Sequence, residues 1–207
     1  MSHAKLFFTL LGLLVGTNAY AGQDVWKELT FLRYKPVGFS VEGNQINIES
    51  ESASSLLYRP ISEAEQTKPR VNWSWRVDAS GIKPTPLDVF PGDDRLIGIY
   101  IFFSKTPGQH EIIQPEDGNY IAYIWGSSHH AGDVVDSPDK EGRLFIVRAH
   151  DARRQTWASE SFDYQKDFEK EFGYKGYPSF IAIGADTDDA KSKTMAAVKN
   201  ITFSEVP

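Results

Sequence analysis

Residues 90–103 read FPGDDRLIGIYIFF: the carboxylates of Asp93 and Asp94 and the guanidinium of Arg95 stand directly before an apolar run. An aspartate so placed can accept hydrogen bonds from sugar hydroxyls, act as a general base, or ligate a hard cation that prefers oxygen donors. It also suits a plain turn, in which the carboxylate bonds backbone N–H groups and pairs with the neighbouring arginine. A second acidic group, ADTDDA, supplies Asp186, Asp188 and Asp189. Carboxylates packed that densely must be paired, metal-bound, solvated or partly protonated. The loop lacks the twelve-residue pattern of an EF-hand, with its glycine and final glutamate. One group precedes a strand and the other follows one, so antiparallel neighbours would bring both to one end of a sandwich. A cation ligated by Asp186, Asp188 and Asp189 is expected there, with a solvated loop as the simpler alternative.

Aromatic residues are the second resource. Trp73 and Trp75 in VNWSWRV are two apart on a strand and share a face with Val71 and Val77, which marks that face as core. Arg76 lies on the opposite face. Trp125 ends NYIAYIW beside Gly126-Ser127-Ser128 and is expected to be exposed, with Tyr123 two residues before it. Indole and phenol rings offer flat faces on which a sugar ring stacks, while charged groups at the edge bond its hydroxyls. The expected ligand set is therefore Arg76, Asp93, Asp94, Tyr123 and Trp125. His129, His130 and Asp133 in WGSSHHAGD offer loop ligands for zinc or copper, or are simply solvated.

Motifs for catalysis are scarce. The chain has no G-x-S-x-G elbow, HExxH, P-loop or dinucleotide fingerprint, and no cofactor is indicated. A glycosidase needs two carboxylates roughly 5 to 10 Å apart, for which Asp94 with Asp186 or Glu160 would serve. With no cysteine, disulfides, thiolate metal sites and cysteine catalysis are excluded.

Short strand patterns must position these groups. NQINIES and VNWSWRV alternate, whereas RLIGIYIFF, NYIAYIW, GRLFIVRAH and PSFIAIGA are apolar on both faces, as in strands covered twice. KNITFSEV closes the chain, and the sequons at Asn72 and Asn200 fall on strands. FDYQKDFEKEFG fits a short amphipathic helix ending at Gly173. ISEAEQTKP reads as a helical turn or loop, and AKSKTMAAV as a loop before the last strand. Gly, Pro, Asn and Asp clusters separate the segments. The expected fold is all-β, an antiparallel β-sandwich of jelly-roll type with one short helix.

The N-terminus reads as a secretory leader: MSHAK, the apolar LFFTLLGLLVG, then small residues at Ala19 and Ala21. Cleavage after Ala21 would leave residues 22–207 as a single sandwich domain, periplasmic or secreted, with no further membrane anchor. The 207-residue chain carries a net charge of −6, and losing Lys5 with the leader makes it one unit more negative. That balance, with no basic run, argues against nucleic acid and anionic lipid as partners.

WSWRV, PGDDRLIGIYIFF, FEKEFG and IAIGADTDDA, in that order, resemble the bacterial domain-of-unknown-function family 3047 over roughly residues 25–203. The resemblance implies a secreted bacterial protein and supplies no reaction. The family's second acidic motif is Asp-x-Asp-Asn, where this chain has Asp186-Thr187-Asp188-Asp189. The expectation from sequence is a non-catalytic module that binds a saccharide or similar polar ligand. The alternatives are a sandwich-type hydrolase or lyase, and a structural envelope protein.

Overall fold

The computed structural model describes residues 26–89, 92–107 and 119–206. The expected leader, residues 1–21, lies outside them. Twelve strands and two helices follow in chain order: β1 (Lys27–Thr30), β2 (Gly38–Glu42), β3 (Gln45–Glu51), β4 (Ser54–Pro60), α1 (Glu63–Gln66), β5 (Arg70–Ser80), β6 (Arg95–Ser104), β7 (Tyr120–Trp125), β8 (Val134–Asp136), β9 (Gly142–Arg148), β10 (Ala158–Asp163), α2 (Tyr164–Phe172), β11 (Tyr177–Asp186) and β12 (Lys193–Ser204). They form a jelly-roll β-sandwich. One sheet has the order β1-β4-β11-β6-β7-β9-β8 and the other β10-β5-β12-β3-β2. Every pair of neighbouring strands is antiparallel except β7 and β9, which run parallel because β9 slots between β7 and β8.

Side-chain alternation builds the core. Val71, Trp73, Trp75 and Val77 of β5 are buried against Ile97, Ile99, Ile101 and Phe103 of β6 and Ile121, Tyr123 and Trp125 of β7. Trp75 meets Trp73 and Trp125 edge-on, with centroids at 5.3 and 5.5 Å. The other face of the seven-stranded sheet carries a smaller cluster that includes Leu56, Tyr100, Ala122, Ile124, Leu144 and Ala182. Leu87, from the segment between β5 and β6, and Leu29 and Phe31 pack on it. The strands that are apolar on both faces are thus covered twice, as the sequence implies.

Two segments differ from expectation. AKSKTMAAV is strand from Lys193 onward, because β12 is a central strand paired with both β3 and β5. ISEAEQTKP contains the single turn α1, making a second helix; Arg59 donates to Glu65 at 2.8 and 2.9 Å and holds it. Helix α2 starts where the Asp163 carboxylate accepts the Lys166 N–H and stops at Gly173, whose φ of 74° suits glycine. Phe162, expected in the helix, lies in β10 instead.

Candidate functional site

Strands β6 and β11 are antiparallel, with Arg95 at the start of one opposite Asp186 at the end of the other. The GDDR and DTDD turns therefore meet. Each is bonded by the other's carboxylates: Asp94 Oδ2 accepts the Ala190 N–H at 2.7 Å, Asp94 Oδ1 the Asp189 N–H at 3.3 Å, and Asp189 Oδ2 the Gly92 N–H at 2.6 Å. Gly92 sits at φ 125°, outside the range of L side chains. Arg95 lies between, 3.1 Å from Asp186 and 3.5 Å from Asp93, and also donates to the Asp93 carbonyl. Thr187 ties the second turn to the five-stranded sheet by accepting the Ala53 N–H and bonding the Ser50 hydroxyl.

Burial sets the electrostatics. Asp186 is 6 % exposed. Desolvation pushes its carboxyl well above the usual range; Arg95 opposes this and Asp188 adds to it. Burial also raises Asp94, against the two N–H bonds that pull it back. One Asp186 oxygen faces Arg95, while Oδ1 is buried and meets no hydrogen-bond donor among the described residues. One oxygen each from Asp94, Asp186 and Asp188 lie within 4.8 Å of one another. Asp189, expected among the ligands, spends its carboxylate on Gly92 and is not in that trio; Asp94 takes its place.

From this end an aromatic surface runs along the outer face of the seven-stranded sheet. Tyr100, Phe102 and Tyr120 group with centroids 5.3 to 6.3 Å apart, and the Arg95 guanidinium stands 5.6 Å from the Tyr100 ring. Small residues make room for them. A Cβ on Gly98 would stand 2.9 Å from Tyr100 Cε2, and one on Gly142 would fall 2.2 Å from Tyr120 Cζ. Tyr120 donates to Asp139 at 3.0 Å. Phe102, Tyr120 and Tyr58 are half-buried. Tyr100 is buried, which pushes its phenol up to about 12 against the pull of Arg95; among the described residues neither its hydroxyl nor Arg95 Nε has a hydrogen-bond partner of good geometry.

Several expected ligand residues lie elsewhere. Trp125 and Tyr123 are fully buried between the sheets, because the odd-numbered residues of β7 face inward. Trp125 packs on Trp75 with Arg148 over its ring, and Tyr123 donates to Asp167 at 2.8 Å. The expected exposure of Trp125 is corrected accordingly: neither ring offers a free face. Arg76 is on the outer face of the five-stranded sheet, paired with Asp78 at 2.6 Å and 4.8 Å over Trp157. It does not join Asp93 and Asp94. Glu160 is held by Arg148 at 2.6 Å and by the Trp75 indole N–H at 3.0 Å. His129 Nε2 accepts the Leu87 N–H, while His130 is exposed beside Asp133. Phe102 is the residue that sequence reasoning missed; the even-numbered register of β6 and β7 is the available signal.

The chain matches the family model described as protein of unknown function, DUF3047, over residues 24–202, and belongs to that family. No curated protein matches it. Among solved structures it is similar to the xyloglucanase domain of NopAA, a type three effector from Sinorhizobium fredii, in complex with cellobiose. The TM-score is 0.51 at 9% identity, covering 90% of this chain and 96% of that one. Looser similarities are to a loop-swap mutant of Necallimastix patriciarum Xyn11A (TM-score 0.42, 10% identity, 91% and 93% covered) and the family 11 xylanase from Neocallimastix patriciarum (0.41, 8%, 87% and 87%).

Proposed function

We propose that the outer face of the seven-stranded sheet binds a saccharide. Sugar rings stack on the half-exposed Phe102, Tyr120 and Tyr58, and hydroxyls reach the polar end at Arg95 and Asp186. The observation behind this is the continuity of that aromatic surface with three buried polar atoms that have no hydrogen-bond partner among the described residues: the Tyr100 hydroxyl, Arg95 Nε and Asp186 Oδ1. Two donors and an acceptor without partners are what a sugar hydroxyl satisfies. The fold likeness to a domain solved with cellobiose supports a β-linked glucan as first choice.

Binding without cleavage is the preferred form. Asp94 has both oxygens on backbone amides, and Glu160 is held by Arg148. Hydrolysis is the second reading, favoured by one observation: a carboxyl with a raised pKa, Asp186, lies beside two further carboxylates. A pair of carboxyl groups, one serving as acid and one as nucleophile roughly 5 to 5.5 Å away, is what retaining glycosidases use. The protein acts outside the cytoplasm on this proposal, which rests on the leader; N-terminal sequencing of the exported chain beginning elsewhere than Gly22 would count against cleavage after Ala21.

Calorimetry with soluble β-1,4-glucan and xylan oligosaccharides tests the first reading. Phe102→Ala and Tyr120→Ala should each weaken binding about fivefold, equivalent to ~1 kcal/mol of ring contact. No heat with any oligosaccharide, or variants that bind as wild type does, would sink it. Release of reducing ends by wild type but not by Asp186→Asn would move the conclusion to hydrolysis.

A further inference from the structure

We infer that Asp94, Asp186 and Asp188 hold a calcium ion that fastens the start of β6 to the end of β11. Three carboxylate oxygens drawn from two turns lie within 4.8 Å of one another. Two oxygens on opposite sides of a calcium ion, each at 2.3–2.6 Å, stand roughly 5 Å apart, so separations within 4.8 Å let the trio share one ion, Asp94 through lone pairs not used by its two backbone N–H bonds. The donors are all oxygen, which selects a hard cation over zinc or copper.

A second observation is independent of the clustering. Asp186 is buried, Arg95 serves its Oδ2, and no donor of the described residues reaches its Oδ1. A buried anionic acceptor with no donor calls for a positive group from outside the chain. Charge points the same way. Asp93, Asp94, Asp186, Asp188 and Asp189 are gathered here, and Arg95 is the guanidinium that pairs with two of them. Asp188 is only half-buried, so the ion has a way in and room to keep water ligands. The ion takes the same Asp186 Oδ1 that the saccharide reading offers to a sugar hydroxyl, so a bound sugar would meet the ion at that end; calcium binding is measured without sugar, so the two readings fail separately.

The test is calcium titration by calorimetry on protein stripped with EDTA and dialysed. One site is expected, with a Kd on the order of 10⁻⁴ M for so few protein ligands. Asp188→Asn should weaken binding about tenfold or more, because it removes a charged ligand. The melting temperature of that variant in EDTA should equal or exceed wild type, since a like charge has gone, so lost binding is not lost folding. Asp189→Asn is the control: its carboxylate serves Gly92, so the variant loses a neighbouring charge but no ligand, and calcium affinity should fall clearly less than in Asp188→Asn. Absence of saturable calcium binding to wild type overturns the inference. So does equal weakening by Asp188→Asn and Asp189→Asn, which would reduce the effect to bulk charge.

Discussion

The Asp94 carboxylate and the Ala190 backbone N–H, 96 positions apart in sequence, meet at 2.7 Å. A bond of that span makes the two acidic turns one unit, and Asp94, 2 % exposed, is its hinge pin. Asp94→Ala should therefore cost ~2 kcal/mol or more, because two N–H groups lose their acceptor. Asp94→Asn, which keeps one acceptor oxygen, should cost less. Urea denaturation measures both; equal losses would mean that the amide bonds are not what matters.

Trp125 is a core residue, and its truncation should behave as one. Trp125→Ala is expected to lower stability by about 3–5 kcal/mol, the range for removing a buried indole. Affinity for any saccharide at the outer face should be unchanged while the variant remains folded. Loss of affinity with unchanged stability would restore Trp125 to the binding surface.

Gly142 is occupied from outside its own strand by the Tyr120 ring. A methyl there would displace that ring and break its bond to Asp139. Gly142→Ala should then mimic Tyr120→Ala in any saccharide assay and also lower stability by roughly 1–3 kcal/mol, the scale of overpacking. A crystal structure of the variant with Tyr120 unmoved would refute this.

Acidification should stabilise the protein down from neutrality. Burial raises the Asp167 carboxyl, against the hydrogen bond from Tyr123. Its folded pKa then exceeds the unfolded value near 3.8, so its contribution is fully present below that value and lost as pH rises through the folded one. Asp189, raised by burial, acts in the same sense. Glu65 acts oppositely: burial raises it, but Arg59 and Ser62 more than reverse this, and its contribution is lost as pH falls through its lowered pKa. Urea midpoints should rise as pH falls from neutrality through the raised carboxyl pKa toward 3.8, and Asp167→Asn should flatten that rise. A flat wild-type profile would show that the buried carboxyls titrate normally.

Much of this arrangement is legible in the sequence where alternation has one apolar side. VNWSWRV declares Trp73 and Trp75 as core because Asn72, Ser74 and Arg76 occupy the other face. The meeting of the two acidic turns follows from antiparallel neighbours, one strand beginning where the other ends. NYIAYIW is different: Ile121, Tyr123 and Trp125 are no more apolar as a set than Tyr120, Ala122 and Ile124. Periodicity cannot orient such a strand, and the position of Trp125 next to glycine and serines pointed the wrong way. The alanines of TMAAV favour helix by propensity, yet pairing on both sides makes them strand. Arg76 was correctly read as facing away from the core, but which sheet its strand would join depends on contacts far along the chain.

The insertion of β9 between β7 and β8 bears on how the molecule is assembled. Its two neighbours both precede it in the chain, and one of them lies parallel, so no succession of adjacent hairpins can zip this side of the sheet. The ribbon β8–β9 is a local antiparallel pair that can form before it docks, leaving the flank of β7 bare until then. That order of events predicts slow refolding and a transiently sticky edge, most exposed to self-association before residues 134–148 arrive.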